Sequence, residues 1–133
     1  MTRHVVIIDD SDIDLKVLSA AIDACGMRAS VFCNGIDANE VLFGEAVDLI
    51  ILDVEMPFVH GTVKARILKE HPDTKDIPLL LISGKSAAEM QTLSEECGAD
   101  GYITKPISRQ HLCNTLRQFF ADDQAASDNA TSC

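Results

Sequence analysis

Short runs of consecutive apolar residues alternate along the chain with stretches in which apolar residues recur every three or four positions. Val5-Val6-Ile7-Ile8 is unbroken and too short for a helix, which predicts a strand buried on both faces. Over 12–25, Ile13, Val17, Leu18, Ala21, Ile22 and Cys25 recur at helical spacing, with Ser11 placed to cap the start and Gly26 to end it. Residues 29–33 predict a second strand, stopped by Asn34-Gly35, and 36–43 a short helix. Residues 47–52, broken only by Asp48, predict a third strand. A helix over 61–70 turns Val63, Ile67 and Leu68 inward and closes at His71-Pro72-Asp73. Residues 78–82 predict a fourth strand. Ser86-Ala87-Ala88-Glu89 has the form of a capping box, opening a helix to Cys97 with Met90, Leu93 and Cys97 on one face. Residues 101–104 predict a fifth strand, and Ser108 caps a last helix carrying Leu112, Leu116, Phe119 and Phe120.

Five strand–helix units in strict alternation predict an α/β fold: a five-stranded parallel sheet with helices on both faces and right-handed crossovers. The expected strand order is 2-1-3-4-5, the flavodoxin-like (βα)5 arrangement. The domain is expected to occupy 1–121. Residues 122–133 offer almost nothing to bury and are expected to form a disordered tail.

Composition narrows the function classes. With 21 acidic and 11 basic residues the net charge is -10, which repels nucleic acid and argues against phosphate-backbone binding as the main task. No apolar run approaches the ~18 residues of a membrane span, and the N-terminus lacks a secretory pattern, so no membrane partner and a cytoplasmic location are expected. The five cysteines, at 25, 33, 97, 113 and 133, show no CxxC spacing; free buried thiols are expected rather than disulfides or a zinc site. His4, His60, His71 and His111 are too scattered to suggest a metal site.

In sheets of this kind, functional residues lie beyond the carboxyl ends of the strands. Those ends carry Asp9-Asp10, Asp53, Ser83 and Lys105-Pro106. Each alone is an ordinary turn residue; together on one sheet edge they form a constellation. Adjacent carboxylates repel unless a cation intervenes, and Mg²⁺ suits oxygen ligands and phosphate. A lysine beside them suits phosphoryl oxygens, and an aspartate can itself accept a phosphoryl group. Asp12 and Asp14 read as helix N-terminal charges.

These motifs resemble the receiver domains of two-component response regulators, of the chemotaxis single-domain type. The matching residues are Asp9-Asp10, Asp53-Val54-Glu55-Met56-Pro57 followed by Gly61, Ile82-Ser83-Gly84, and the run from Gly98 to Pro106. The resemblance covers about residues 4 to 120. It implies a phosphoacceptor rather than an enzyme, with Asp53 taking a phosphoryl group from a histidine kinase or a histidine phosphotransfer protein. It implies that Asp9, Asp10, Asp53 and the backbone carbonyl of Glu55 hold Mg²⁺, for which Mn²⁺ could substitute. Ser83 and Lys105 would bind phosphoryl oxygens, Ser83 and Tyr102 would form the switch, and the Lys105-Pro106 bond would be cis. The output face would comprise 86–97, 101–104 and 108–120. Ser83 stands where Thr is commoner, Gly84 gives no shielding side chain, and Glu55 and Lys85 put opposite charges at the site mouth. Alternatives are a pseudo-receiver that ignores phosphate, a Mg²⁺-dependent aspartyl phosphohydrolase, for which the chain has no room for a cap domain, and flavin binding, for which it lacks a phosphate loop.

Overall fold

The structure, a computed structural model, describes residues 2–56 and 60–131, with side chains as far as 120. Ten elements alternate: β1 (His4–Ile8), α1 (Asp12–Ala24), β2 (Arg28–Phe32), α2 (Asn39–Gly44), β3 (Leu49–Asp53), α3 (Gly61–Glu70), β4 (Leu79–Ser83), α4 (Ala87–Cys97), β5 (Gly101–Thr104) and α5 (Arg109–Thr131). The five strands are parallel and ordered β2-β1-β3-β4-β5, as expected. Every residue of β1, β3 and β4 is buried, which is why those segments are apolar except for His4 at the start of β1, Asp53 at the end of β3 and Ser83 at the end of β4. The edge strands β2 and β5 are only partly covered.

Alternation along each strand divides the core in two. Val5, Ile7, Leu49, Ile51, Leu80 and Ile82 pack with α1 and α5. Val6, Ile8, Ile50, Leu52, Leu79 and Leu81 pack with α2, α3 and α4. The parallel register pairs Asp53 with Ile82 and Ser83 with Thr104, so the polar residues ending β3, β4 and β5 arrive at one edge together.

Two helix faces differ from the expected ones. On α1 the buried residues are Leu15, Leu18, Ala21 and Ile22, while Ile13 and Val17 are 75% and 49% exposed. At 100° per residue, the stripe centred on Leu18 and Ile22 leaves Ile13 roughly on the far side. On α3, Leu68 is inward as expected, but Val63 and Ile67 face solvent and Gly61, Lys64 and Ala65 take the inner positions. Lys64 defeats the pattern because its aliphatic stem packs like an apolar residue, while its ammonium bonds Asn39 Oδ1 of α2.

The thiols also differ. Cys25, at the end of α1, and Cys113, on α5, form a disulfide across 88 residues. Contact between these two helices sets that pairing, and local spacing carries no trace of it. Cys33 is free and exposed and Cys97 is free and buried; Cys133 lies outside the described residues. Finally, the backbone of α5 runs to Thr131. Residues 132 and 133 lie outside the described residues. Among the described residues no helix is long and apolar enough to cross a membrane.

Candidate functional site

The site is built where four of the strands stop, β1, β3, β4 and β5. β1 runs out at Ile8 and delivers Asp9, fully buried, and Asp10, exposed. Asp53 is the last residue of β3 and is 4% exposed. Ser83 ends β4, buried, its Oγ accepting the Lys85 N–H at 3.2 Å. Lys105 follows β5 and is anchored by its own N–H donating to the Ser83 carbonyl at 2.7 Å. The Lys105-Pro106 peptide bond is cis.

Asp9, Asp10 and Asp53 each place a carboxylate oxygen within 4.8 Å of the others. This all-oxygen donor set, one side open to solvent through Asp10, fits a hard divalent cation such as Mg²⁺. Among the described residues, the ammonium in contact is that of Lys105. Its Nζ donates to Asp14 Oδ2 at 2.8 Å and Asp9 Oδ2 at 3.0 Å, and lies 3.7 Å from Asp53 Oδ1.

Burial and the neighbouring Asp9 carboxylate push the Asp53 carboxyl up from 3.8 to about 7, against the opposing pull of Lys105. Lys105 is shifted upwards as well. Burial works against its charge, but the bonds from Asp14 and Asp9 and the field of Asp53 outweigh it and raise the ammonium's pKa. Asp53 is thus a desolvated carboxyl under electrostatic pressure, the kind of perturbed group that marks functional sites.

Backbone packing fixes these positions. The Val54 N–H donates to the Ile82 carbonyl at 3.0 Å, and the Gly61 N–H to the Val54 carbonyl at 2.8 Å. A Cβ on Gly61 would lie 2.1 Å from the Asp53 carbonyl oxygen, so only glycine permits α3 to start this close to the end of β3. At the mouth, Lys85 Nζ and Glu55 Oε1 pair at 3.3 Å. Pro57, the last residue of the Asp53 motif, lies outside the described residues.

The structure therefore brings together Asp9, Asp10, Asp53 and Lys105, with Ser83 on the neighbouring strand end. Tyr102 lies one strand further out, half-buried, opposite Leu81 in the register and packed on the α2–α4 side of the sheet. Asp14 is the residue that sequence reasoning missed. Asp14 and Ser11 stand at the positions of a capping box, in which the acid would reach back to the cap N–H. Here the Ser11 N–H donates to Asp9 Oδ1 at 3.0 Å instead, and Asp14 turns to Lys105. The sequence signal was its place one turn beyond Asp9-Asp10, on a helix leaving the same sheet edge.

Known proteins share this architecture. CheY4 of Vibrio cholerae, a chemotaxis response regulator, superimposes with a TM-score of 0.83 over 90% of this chain and 99% of its own, at 24% identity. The receiver domain of a signal transduction histidine kinase from Syntrophus aciditrophicus is 31% identical, with a TM-score of 0.81 over 91% of this chain and 92% of that one. In sequence, the polar-differentiation response regulator DivK of Brucella ovis is 25% identical over 122 residues, covering 92% of this chain and 99% of DivK. The profile of the response regulator receiver domain matches residues 5–117, from β1 into α5 and through every strand end that carries the site. By that match the chain belongs to the response regulator receiver domain family.

Proposed function

We propose that this receiver accepts a phosphoryl group on Asp53 from the phosphohistidine of a histidine kinase or histidine phosphotransfer protein, in a Mg²⁺-dependent phosphorelay in the cytoplasm, and thereby switches the binding of a partner. The receiver unit is residues 1–121. The observation that carries this reading is the buried Asp53 carboxyl at the end of β3, flanked by Asp9, Asp10 and Lys105. A carboxylate oxygen of Asp53 attacks phosphorus, the P–O bond forms as the P–N bond breaks, and the donor histidine leaves to be protonated on nitrogen. Asp9, Asp10 and Asp53, with the Glu55 carbonyl, would hold the cation, which lends positive charge to the transferring oxygens. Mn²⁺, also an oxygen-seeking divalent ion, would serve in its place.

Lys105 and Ser83 supply the remaining contacts. Nζ has three N–H donors and turns one to the phosphoryl group, and the Ser83 hydroxyl donates to another oxygen. Drawing Ser83 inward opens space beside β5 into which Tyr102 turns, altering the face formed by 86–97, 101–104 and 108–120. The protein is a phosphoacceptor that promotes its own phosphorylation and dephosphorylation, and not a turnover enzyme. Because every member of the acidic set and the lysine is in place, a phosphate-indifferent pseudo-receiver is not favoured.

The test is incubation with acetyl phosphate and Mg²⁺ followed by intact mass. One added phosphoryl mass is expected on the wild type and none on Asp53→Asn. Equal incorporation by both proteins overturns the assignment.

A further inference from the structure

Lys105 has two strong partners in the resting protein, and Asp53 is neither of them. Its Nζ bonds Asp14 at 2.8 Å and Asp9 at 3.0 Å, whereas Asp53 Oδ1 stands at 3.7 Å, beyond a hydrogen bond. The two bonded carboxylates differ in setting. The Asp9 side chain is 0% exposed and the Asp14 side chain 37% exposed. Asp14 is therefore the partner that water can replace; Asp9, if abandoned, would be left as a buried unpaired charge.

We propose that Asp14 is a positioning residue of the phosphoacceptor site, holding Lys105 on the α1 side while Asp53 is unmodified and releasing it when Asp53 is phosphorylated. The inference rests on Asp53 being the acceptor. The α1 backbone aims the side chain. Ser11 Oγ accepts the Asp14 N–H at 3.3 Å, fixing the first turn of the helix. The Ser11 N–H is taken by Asp9 at 3.0 Å, so the Asp14 carboxylate has no capping duty to hold it back. A phosphoryl group carries about −1.5 to −2 charge against −1 for the carboxylate it forms on, and draws the Lys105 ammonium, 3.7 Å from Asp53 Oδ1 at rest, across towards Asp53 and off Asp14. Asp14 thus sets how much of the Lys105 interaction is already committed before the phosphoryl group arrives.

An exposed ion pair with no functional reach would give a different result, as would a general repulsion of anions by Asp14. Both are separated from the proposal by asking whether the effect passes through Lys105. Asp14→Asn keeps the shape and removes the charge; Asp14→Ala removes the acceptor as well. Beryllofluoride with Mg²⁺, titrated by amide chemical shifts, gives an equilibrium measure that stays quantifiable where phosphorylation is slow. Asp14→Asn and Asp14→Ala are each expected to tighten beryllofluoride binding by about three- to tenfold and to raise the initial rate of acetyl phosphate incorporation in the same direction. In a Lys105→Ala background the same substitutions at 14 are expected to change neither quantity. Tightening of equal size with and without Lys105 would show a general charge effect and overturn the proposal, as would no tightening in the wild-type background. A wild type that neither incorporates phosphoryl nor binds beryllofluoride would instead overturn the reading of Asp53 as acceptor.

Discussion

Removing the Asp53 charge should stabilise the metal-free protein, and should do so in a pH-dependent way. Asp53→Asn keeps the side-chain shape and can still accept the Glu55 N–H, now at 3.4 Å. Burial and Asp9 shift the ionisation of Asp53 from 3.8 to about 7. At about 1.4 kcal/mol per pH unit this is a cost on the order of 2–4 kcal/mol to the folded state whenever Asp53 is charged. At pH 8 the carboxyl is ionised in both folded and unfolded chains, and the folded chain bears the whole cost. As pH falls through 7 the folded carboxyl takes up a proton while the unfolded one stays ionised, so the cost fades and is gone below about 4. Thermal melts by circular dichroism in EDTA, at pH 8 and pH 5, measure it. At roughly 3–4 °C per kcal/mol for a domain of this size, Asp53→Asn should melt about 10 °C above wild type at pH 8 and by less than half that margin at pH 5. A variant no more stable than wild type at pH 8, or a margin equal at both pH values, would refute the account of Asp53 as a desolvated, repelled carboxyl.

Other substitutions probe the same architecture. Lys105→Ala leaves Asp9 buried without its cation and should lower metal-free stability by about 2–4 kcal/mol in urea, with Mg²⁺ recovering part of the loss; an unchanged midpoint would mean the ammonium is not needed there. Gly61→Ala forces a Cβ to within 2.1 Å of the Asp53 carbonyl oxygen and should cost about 1–3 kcal/mol or more, where the same change at Gly84, with nothing within 4 Å, should cost far less. Opening the Cys25–Cys113 link, which spans 88 residues, by reductant or by Cys25→Ser with Cys113→Ser should cost about 2–4 kcal/mol. Complete alkylation of both thiols before reduction would show that the link is absent.

The strands were legible because three of them are buried on both faces and leave no choice but apolar residues. Val5 to Ile8 needed no partner in view to be read as β1. Their order, too, followed from alternation and handedness, and with it the meeting of Asp9, Asp10, Asp53 and Lys105 at one edge. Helix faces were less legible. Ile13, Val17, Val63 and Ile67 match a helical period but stand outside the buried arc, and Lys64 stands inside it. A periodicity of apolar residues marks a helix without fixing which arc is covered; that is decided by the sheet it meets. Asp14 and Cys113 were illegible for a related reason. Each acts through a partner 88 or 91 positions away, across an interface between elements whose relative rotation no local pattern specifies.

The charges of the site tie its stability to its competence. Asp9, Asp14 and Asp53 share one ammonium, at 3.0, 2.8 and 3.7 Å, and Asp10 adds a fourth carboxylate beside Asp9 and Asp53. The Glu55–Lys85 pair at the mouth is self-neutralised and relieves little of this. The resting protein meets the excess by letting Asp53 hold a proton up to about pH 7. A protonated carboxyl is a poor nucleophile, so what makes the fold tolerable would also hold back Asp53 in its proposed role as acceptor. Lys105 cannot lift this restraint alone, because Asp9 and Asp14 hold its ammonium 3.7 Å from Asp53 Oδ1, beyond a hydrogen bond. Added positive charge at the Asp9, Asp10 and Asp53 oxygens would lower the ionisation of Asp53, stabilise the native state and free the attacking oxygen together. Melting temperature and phosphorylation rate should accordingly rise over the same range of divalent-cation concentration. Asp53→Asn should lose most of the thermal response along with the chemistry, since the carboxylate that generates both is gone.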